Sequence, residues 1–133
     1  MNKKRMISFF LALILFLGID FCFRPRHFPI IEEDFEIAAV RVGTELEDIT
    51  DQLDAETLEW VQSMLSMWSR KGLPRKKTVL QLTEDTISIA GTGSRHVELG
   101  ESGCVTYDPG SRYYYEIKDG GLLWRQILTR MPK

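Results

Sequence analysis

The feature that most constrains this chain is its first apolar run. Every residue from 6 to 19 is apolar or glycine except Ser8. The run has no polar stripe, which argues against a core helix of a soluble body. Extended to Phe23 it covers 18 residues with only Ser8 and Asp20 polar, close to the roughly 20 needed to cross a bilayer. Asp20 lies near the far end, where its carboxylate can reach interfacial water at small cost.

Two readings of this segment compete. A basic head followed by an apolar stretch fits a cleaved signal peptide, but cleavage wants small residues before the cut. The following residues, Asp20-Phe21-Cys22-Phe23-Arg24-Pro25, contain none. Phe21 also stands where a lipoprotein signal would place a small residue before Cys22, which disfavours lipidation. An uncleaved signal anchor is the better expectation. Lys3, Lys4 and Arg5 outweigh Arg24 and Arg26, so the N-terminus is expected in the cytoplasm and the body outside. A secreted body after cleavage is the alternative. The chain accordingly divides into residues 1–23 as anchor or signal, 24–34 as a linker stiffened by Pro25 and Pro29, and 35–133 as an extracytoplasmic domain.

Charge separates along the same boundary. Five of the 17 basic residues and one of the 19 acidic residues precede Phe28, leaving 12 against 18, a net charge of −6 for the body. An acidic body disfavours binding to a phosphate backbone, so no nucleic-acid partner is expected.

Periodicity then gives an α+β body. Residues 35–42 (FEIAAVRV) read as a strand, and the slip in alternation near Ala39 and Val40 suggests a bulge. Asp54 is a good N-cap, and Leu58, Val61, Leu65 and Trp68 recur at helical spacing. Gly72 and Pro74 supply stop signals, predicting a helix over 55–71. Beyond it the period becomes 2. Leu80/Leu82, Ile87/Ile89, Val97/Leu99, Val105/Tyr107 and Tyr113/Tyr115/Ile117 predict five strands, separated by turn-forming residues such as Gly91-Thr92-Gly93 and Asp108-Pro109-Gly110. The expected architecture is one amphipathic helix packed on one face of a largely antiparallel β-meander. Residues 122–128 are apolar without a clear period.

No constellation with catalytic chemistry stands out. The two histidines, His27 and His96, lack zinc-ligand spacing, and the acidic run Glu45, Glu47, Asp48, Asp51, Asp54 lacks the calcium-loop pattern. Gly100-Glu101-Ser102-Gly103-Cys104 has Cys104 where a nucleophile elbow needs glycine, and it joins two strands. Gly91-Thr92-Gly93-Ser94-Arg95 opens a strand and not the helix that a phosphate loop needs. A Cys104/His96 pair on one outer face is a minor possibility. In Tyr113-Tyr114-Tyr115, alternation buries the first and last and leaves Tyr114 outside. No metal or cofactor is expected.

The body's basic cluster, Arg70, Lys71, Arg75, Lys76 and Lys77, has two readings. It is either helix-end charge complementarity or a surface for an anionic partner such as a lipid headgroup, an envelope polymer or an acidic protein. The leading functional expectation is a membrane-tethered, non-catalytic accessory domain of the cell envelope. A secreted inhibitor or interaction module, using a free sheet edge, and a Cys104-dependent enzyme or redox protein are the alternatives.

Overall fold

The computed structural model describes residues 2–23, 28–76 and 80–132. Helix α1 (Lys3–Phe23) contains the apolar run, and none of its 20-residue apolar window is buried against the body. The body holds β1 (Ile37–Val42), β2 (Glu47–Asp48), α2 (Ala55–Met67), β3 (Arg75–Lys76), β4 (Ile87–Gly91), β5 (His96–Gly100), β6 (Gly103–Tyr107), β7 (Tyr113–Glu116) and α3 (Gly120–Leu128). The seven strands form one antiparallel sheet in the order β2-β1-β4-β5-β6-β7-β3. The fold class is α+β, as the change of period implies.

One face of the sheet carries the core. Val40, Ile87, Ile89, Val97 and Leu99 meet Val61 and Leu65 of α2, Leu123 and Ile127 of α3, and Ile30, Ile31 and Phe35 of the incoming segment. Ile30 is 1% exposed, so packing of the body starts inside the stretch that composition assigns to the linker. The bulge in β1 falls between Ile37 and Ala39, where register against β4 shifts. The Gly100–Gly103 pair closes a tight hairpin around Glu101 and Ser102.

Four expectations need correction. First, α2 ends at Met67 and not near Lys71. Asp54 caps its start by accepting from the Thr57 N–H at 2.7 Å, but Trp68 turns extended. The stretch after it then finds partners on both sides: Arg70 N–H donates to Phe28 O, and Lys71 N–H to Glu116 O. Inter-strand bonds satisfy these groups better than a fraying last turn.

Second, Leu80 and Leu82 lie outside any strand. β4 is flanked by β1 and β5, so no edge is open to a segment immediately preceding it. The residues instead lie against the β5–β6 hairpin, where Ser102 Oγ donates to Gln81 O at 2.9 Å.

Third, β6 faces the other way. Thr106 pairs with Val97 and Cys104 with Leu99, which puts Thr106 and Cys104 on the helix-covered face and Val105 and Tyr107 on the opposite one. The Thr106 hydroxyl, fully buried, donates to Ile30 O at 3.4 Å. The backbone of the incoming segment thus supplies what a polar side chain needs in a core.

Fourth, Tyr113 is 52% exposed although it shares the face of Tyr115, because it lies at the start of β7, which among the described residues is covered by the two-residue β3. Residues 122–128, left open by the pattern, belong to α3.

The start of α3 rests directly on β6. A Cβ at Gly120 would meet Cys104 Cβ at 2.4 Å, closer than two carbons can approach. Replacing a helical glycine by alanine normally stabilises by up to about 1 kcal/mol. Here Gly120→Ala should reverse that sign and destabilise by about 1–3 kcal/mol through overpacking, as read from urea unfolding midpoints. A gain in stability would mean that α3 lifts freely from the sheet.

Candidate functional site

The residues of the basic cluster have different roles. Arg70 lies in the short extended stretch after α2, bridged to Ile117 beyond the end of β7. Its guanidinium stands 3.8 Å from the ring centre of Tyr115 and 5.1 Å from that of Phe28. Flat, delocalised charge over two aromatic faces is a favourable cation–π arrangement. Arg70 is therefore a structural cation, holding the incoming chain against the end of the sheet. Gly72 sits beneath the same Phe28 ring; a Cβ there would be 2.8 Å from Phe28 Cε2.

Lys71 and Arg75 converge on one carboxylate. Lys71 Nζ lies 2.8 Å from Glu116 Oε2, and Arg75 Nη1 lies 2.8 Å from Glu116 Oε1. The Lys71 hydrogen bond is the main cause holding the Glu116 carboxyl below its usual value; burial opposes it, and the charges of Lys71 and Arg75 add smaller downward pulls. Lys76 is exposed on the edge strand β3, and Lys77 lies outside the described residues. The structure thus gathers Arg70, Lys71, Arg75 and Lys76 along one sheet edge, with one of them stacked and two sharing Glu116.

Between Lys71 and Arg75 the chain makes a projecting loop, and Leu73 at its tip is 83% exposed. A recess of 450 Å³ lies under this loop, lined by Lys71, Gly72, Leu73, Pro74, Arg75, Glu116 and Lys118. Leu73 and Lys118 do not stand out in the sequence alone. Leu73 reads as one more apolar residue, and Lys118 is distant along the chain. An apolar residue between a glycine and a proline, set among cations, is the local signal that was there to be read.

The cysteine–histidine pairing fails on geometry. Cys104 faces the helices, whereas His96 pairs with Tyr107 on the opposite face. Burial pushes the Cys104 thiol up, and its S–H lies 3.7 Å from Gly100 O. Nucleophilic thiols need the reverse shift. A recess of 330 Å³ touches Cys104, but its walls are Leu80, Val105, Ile117 and four glycines together with Glu101, Ser102, Tyr114 and Glu116.

On the outer face the His96 and Tyr107 rings stack with centroids 5.6 Å apart, and Tyr107 Oη donates to Glu98 Oε1 at 3.2 Å. Burial, then the Glu98 charge, pushes the Tyr107 hydroxyl up to about 12. It is a fixed proton donor at neutral pH and no base. Among the described residues, no three or more His, Cys, Asp or Glu side chains are placed to hold a metal ion.

No protein family, curated protein or solved structure matches this chain.

The Glu116 cluster gives a signed pH expectation. A carboxyl held below its ordinary value of 4.5 adds stability that is present above that value and is lost as pH falls through the lower folded value. Lys71 and Arg75 are 57% and 64% exposed, so solvent screening limits the effect. Glu116→Gln should cost about 0.5–1 kcal/mol near neutrality, and the difference should close as pH falls below 4.5 and through the lower folded value. Urea midpoints measured across that range check it. A gap independent of pH would mean that Glu116 acts through packing alone.

Proposed function

We propose that this protein is a single-pass, membrane-anchored accessory domain of the cell envelope. Its N-terminus is cytoplasmic, its body lies outside, and it works by binding and not by catalysis. The observation that carries this reading is the junction between α1 and the body. The apolar window Lys3–Cys22 has a mean hydropathy of 2.0 over 20 residues, a helix length of about 30 Å, which matches the hydrocarbon core. Only residues 24–27 separate that helix from Phe28, and Ile30 and Ile31 are already core residues. A body whose core begins so few residues after an apolar helix is held at a membrane surface and does not trail from it.

Orientation follows from charge: Lys3, Lys4 and Arg5 precede the helix, and positive residues stay on the cytoplasmic side. The residues around 20–25 offer no small side chains for a signal-processing cut. The non-catalytic reading is supported by the thiol shifted away from reactivity and by the separation of Cys104 from His96. In this reading the partner is another envelope component, met through the exposed surface of the body.

Carbonate extraction of membranes followed by intact-mass measurement tests the anchor. The expected outcome is a chain that stays in the membrane pellet and retains residues 1–23. A soluble chain starting after about residue 20, the region where a signal h-region ends, would overturn the anchor and leave a secreted domain.

A further inference from the structure

The two edges of the sheet carry opposite charge. At one edge β2 exposes Glu47 and Asp48, with Glu45 and Asp51 beside them. At the other, β3 exposes Arg75 and Lys76. Seven strands at about 4.8 Å spacing put these edges about 29 Å apart. The body is negative overall, so the β3 edge is a local inversion of sign.

The tether enters at that same edge. Phe28 O accepts from Arg70 N–H, and Pro29 bridges Ser69. Five residue steps separate Phe23, the last residue of α1, from Phe28, a reach of at most about 18 Å. When α1 spans a bilayer, covalent geometry alone keeps the basic edge near the headgroups. The acidic edge can stand off by the width of the sheet.

What the edge presents there is an apolar tip ringed by cations. Leu73 projects from the loop, and the recess beneath it is lined by Lys71, Arg75 and Lys118 with Glu116 as its carboxylate. Lys76 adds a further exposed charge. Gly72 packs under Phe28, so the loop is fixed to the point where the tether arrives.

We propose that the 71–76 loop docks on the anionic phospholipid headgroups of the bilayer that α1 enters. Leu73 sits at the boundary between headgroup and acyl chain, and Lys71, Arg75, Lys76 and Lys118 lie at the level of the phosphates. This inference rests on the anchored reading above. Few cations suffice, because the short tether makes docking intramolecular and raises the effective lipid concentration. Each cation near an anionic surface is worth roughly five-fold in partitioning, and Leu73 adds apolar burial that a free polymer or soluble protein would not need. Docking fixes the tilt of the body: the β3 edge faces down, and the acidic β2 edge faces away toward partners.

The full-length chain in lipid vesicles tests this. A nitroxide is placed by Leu73→Cys in a Cys22→Ala, Cys104→Ala background, with Glu47→Cys and Leu17→Cys as reference positions. Accessibility to oxygen and to a water-soluble nickel complex is compared in phosphatidylcholine vesicles and in vesicles with phosphatidylglycerol added. The expected result is a lipid-like signal at 73 in the anionic vesicles only, an aqueous signal at 47 in both, and a buried signal at 17 in both. Adding Lys76→Glu and Lys118→Glu should lower the docked-to-free ratio at 73 by about 25-fold or more, since two cations at five-fold each are lost and two negative charges are added.

An aqueous signal at 73 in both lipids, with 17 still buried, would overturn docking and leave the anchor standing. An aqueous signal at 17 would overturn the anchor, and docking with it. Shielding of 73 seen in native membranes but not in anionic vesicles would assign the loop to a protein partner and overturn the lipid inference.

Discussion

Residues 69–71 form a short extended stretch whose backbone is bonded on both flanks. Arg70 N–H reaches Phe28 O at 2.8 Å, Lys71 N–H reaches Glu116 O at 2.7 Å, and Lys118 N–H reaches Ser69 O at 2.9 Å. The incoming chain, the end of α2 and the strand leading into α3 all meet at this seam. The Arg70 guanidinium between Phe28 and Tyr115 closes it from the side. Trp68 Nε1 adds a longer bond to Asp119 O at 3.4 Å. Without the seam, Ile30 and Ile31 would have no fixed approach to the core, and the tether would not meet the basic edge.

The parts of this fold that were legible in the sequence are those that depend on local periodicity. Asp54 as N-cap and the Val61/Leu65 stripe locate α2 because capping and amphipathicity act within a few residues. The strands around Ile87, Val97, Val105 and Tyr115 are likewise local. What escaped depended on partners far along the chain. The end of α2 was misplaced because its competitor, Glu116 O, lies 45 residues away from the Lys71 N–H. The face of β6 was inverted because Thr106 behaves as a core residue only once Ile30 O stands above it. The basic cluster was visible, but Arg70's aromatic partners and the sharing of Glu116 were not. They redistribute the four described cations of the cluster into a stacking group, an ion-paired couple and the exposed Lys76.

Electrostatics in this body are arranged by location more than by amount. Glu116 holds two cations in place without cancelling both, and it does so from the strand next to the edge. The two-residue, charged edge strands also guard the sheet against pairing with another chain. The same short strands therefore limit aggregation and give the body a polarity along its width.

The placement of β1 sets the order of events during synthesis. Val40 pairs with Ile89, so β1 waits for a partner 49 positions later in the chain. At roughly 5–20 residues per second that is about 3–10 seconds of elongation, and the cover supplied by α3 comes later still. Throughout this interval α1 has already been made and the body has no closed sheet. Under the anchored reading proposed above, an unfolded body would offer little resistance to passage across a membrane, and late closure would give that passage time before the sheet locks. The non-local pairing that slows folding would then place membrane engagement ahead of it.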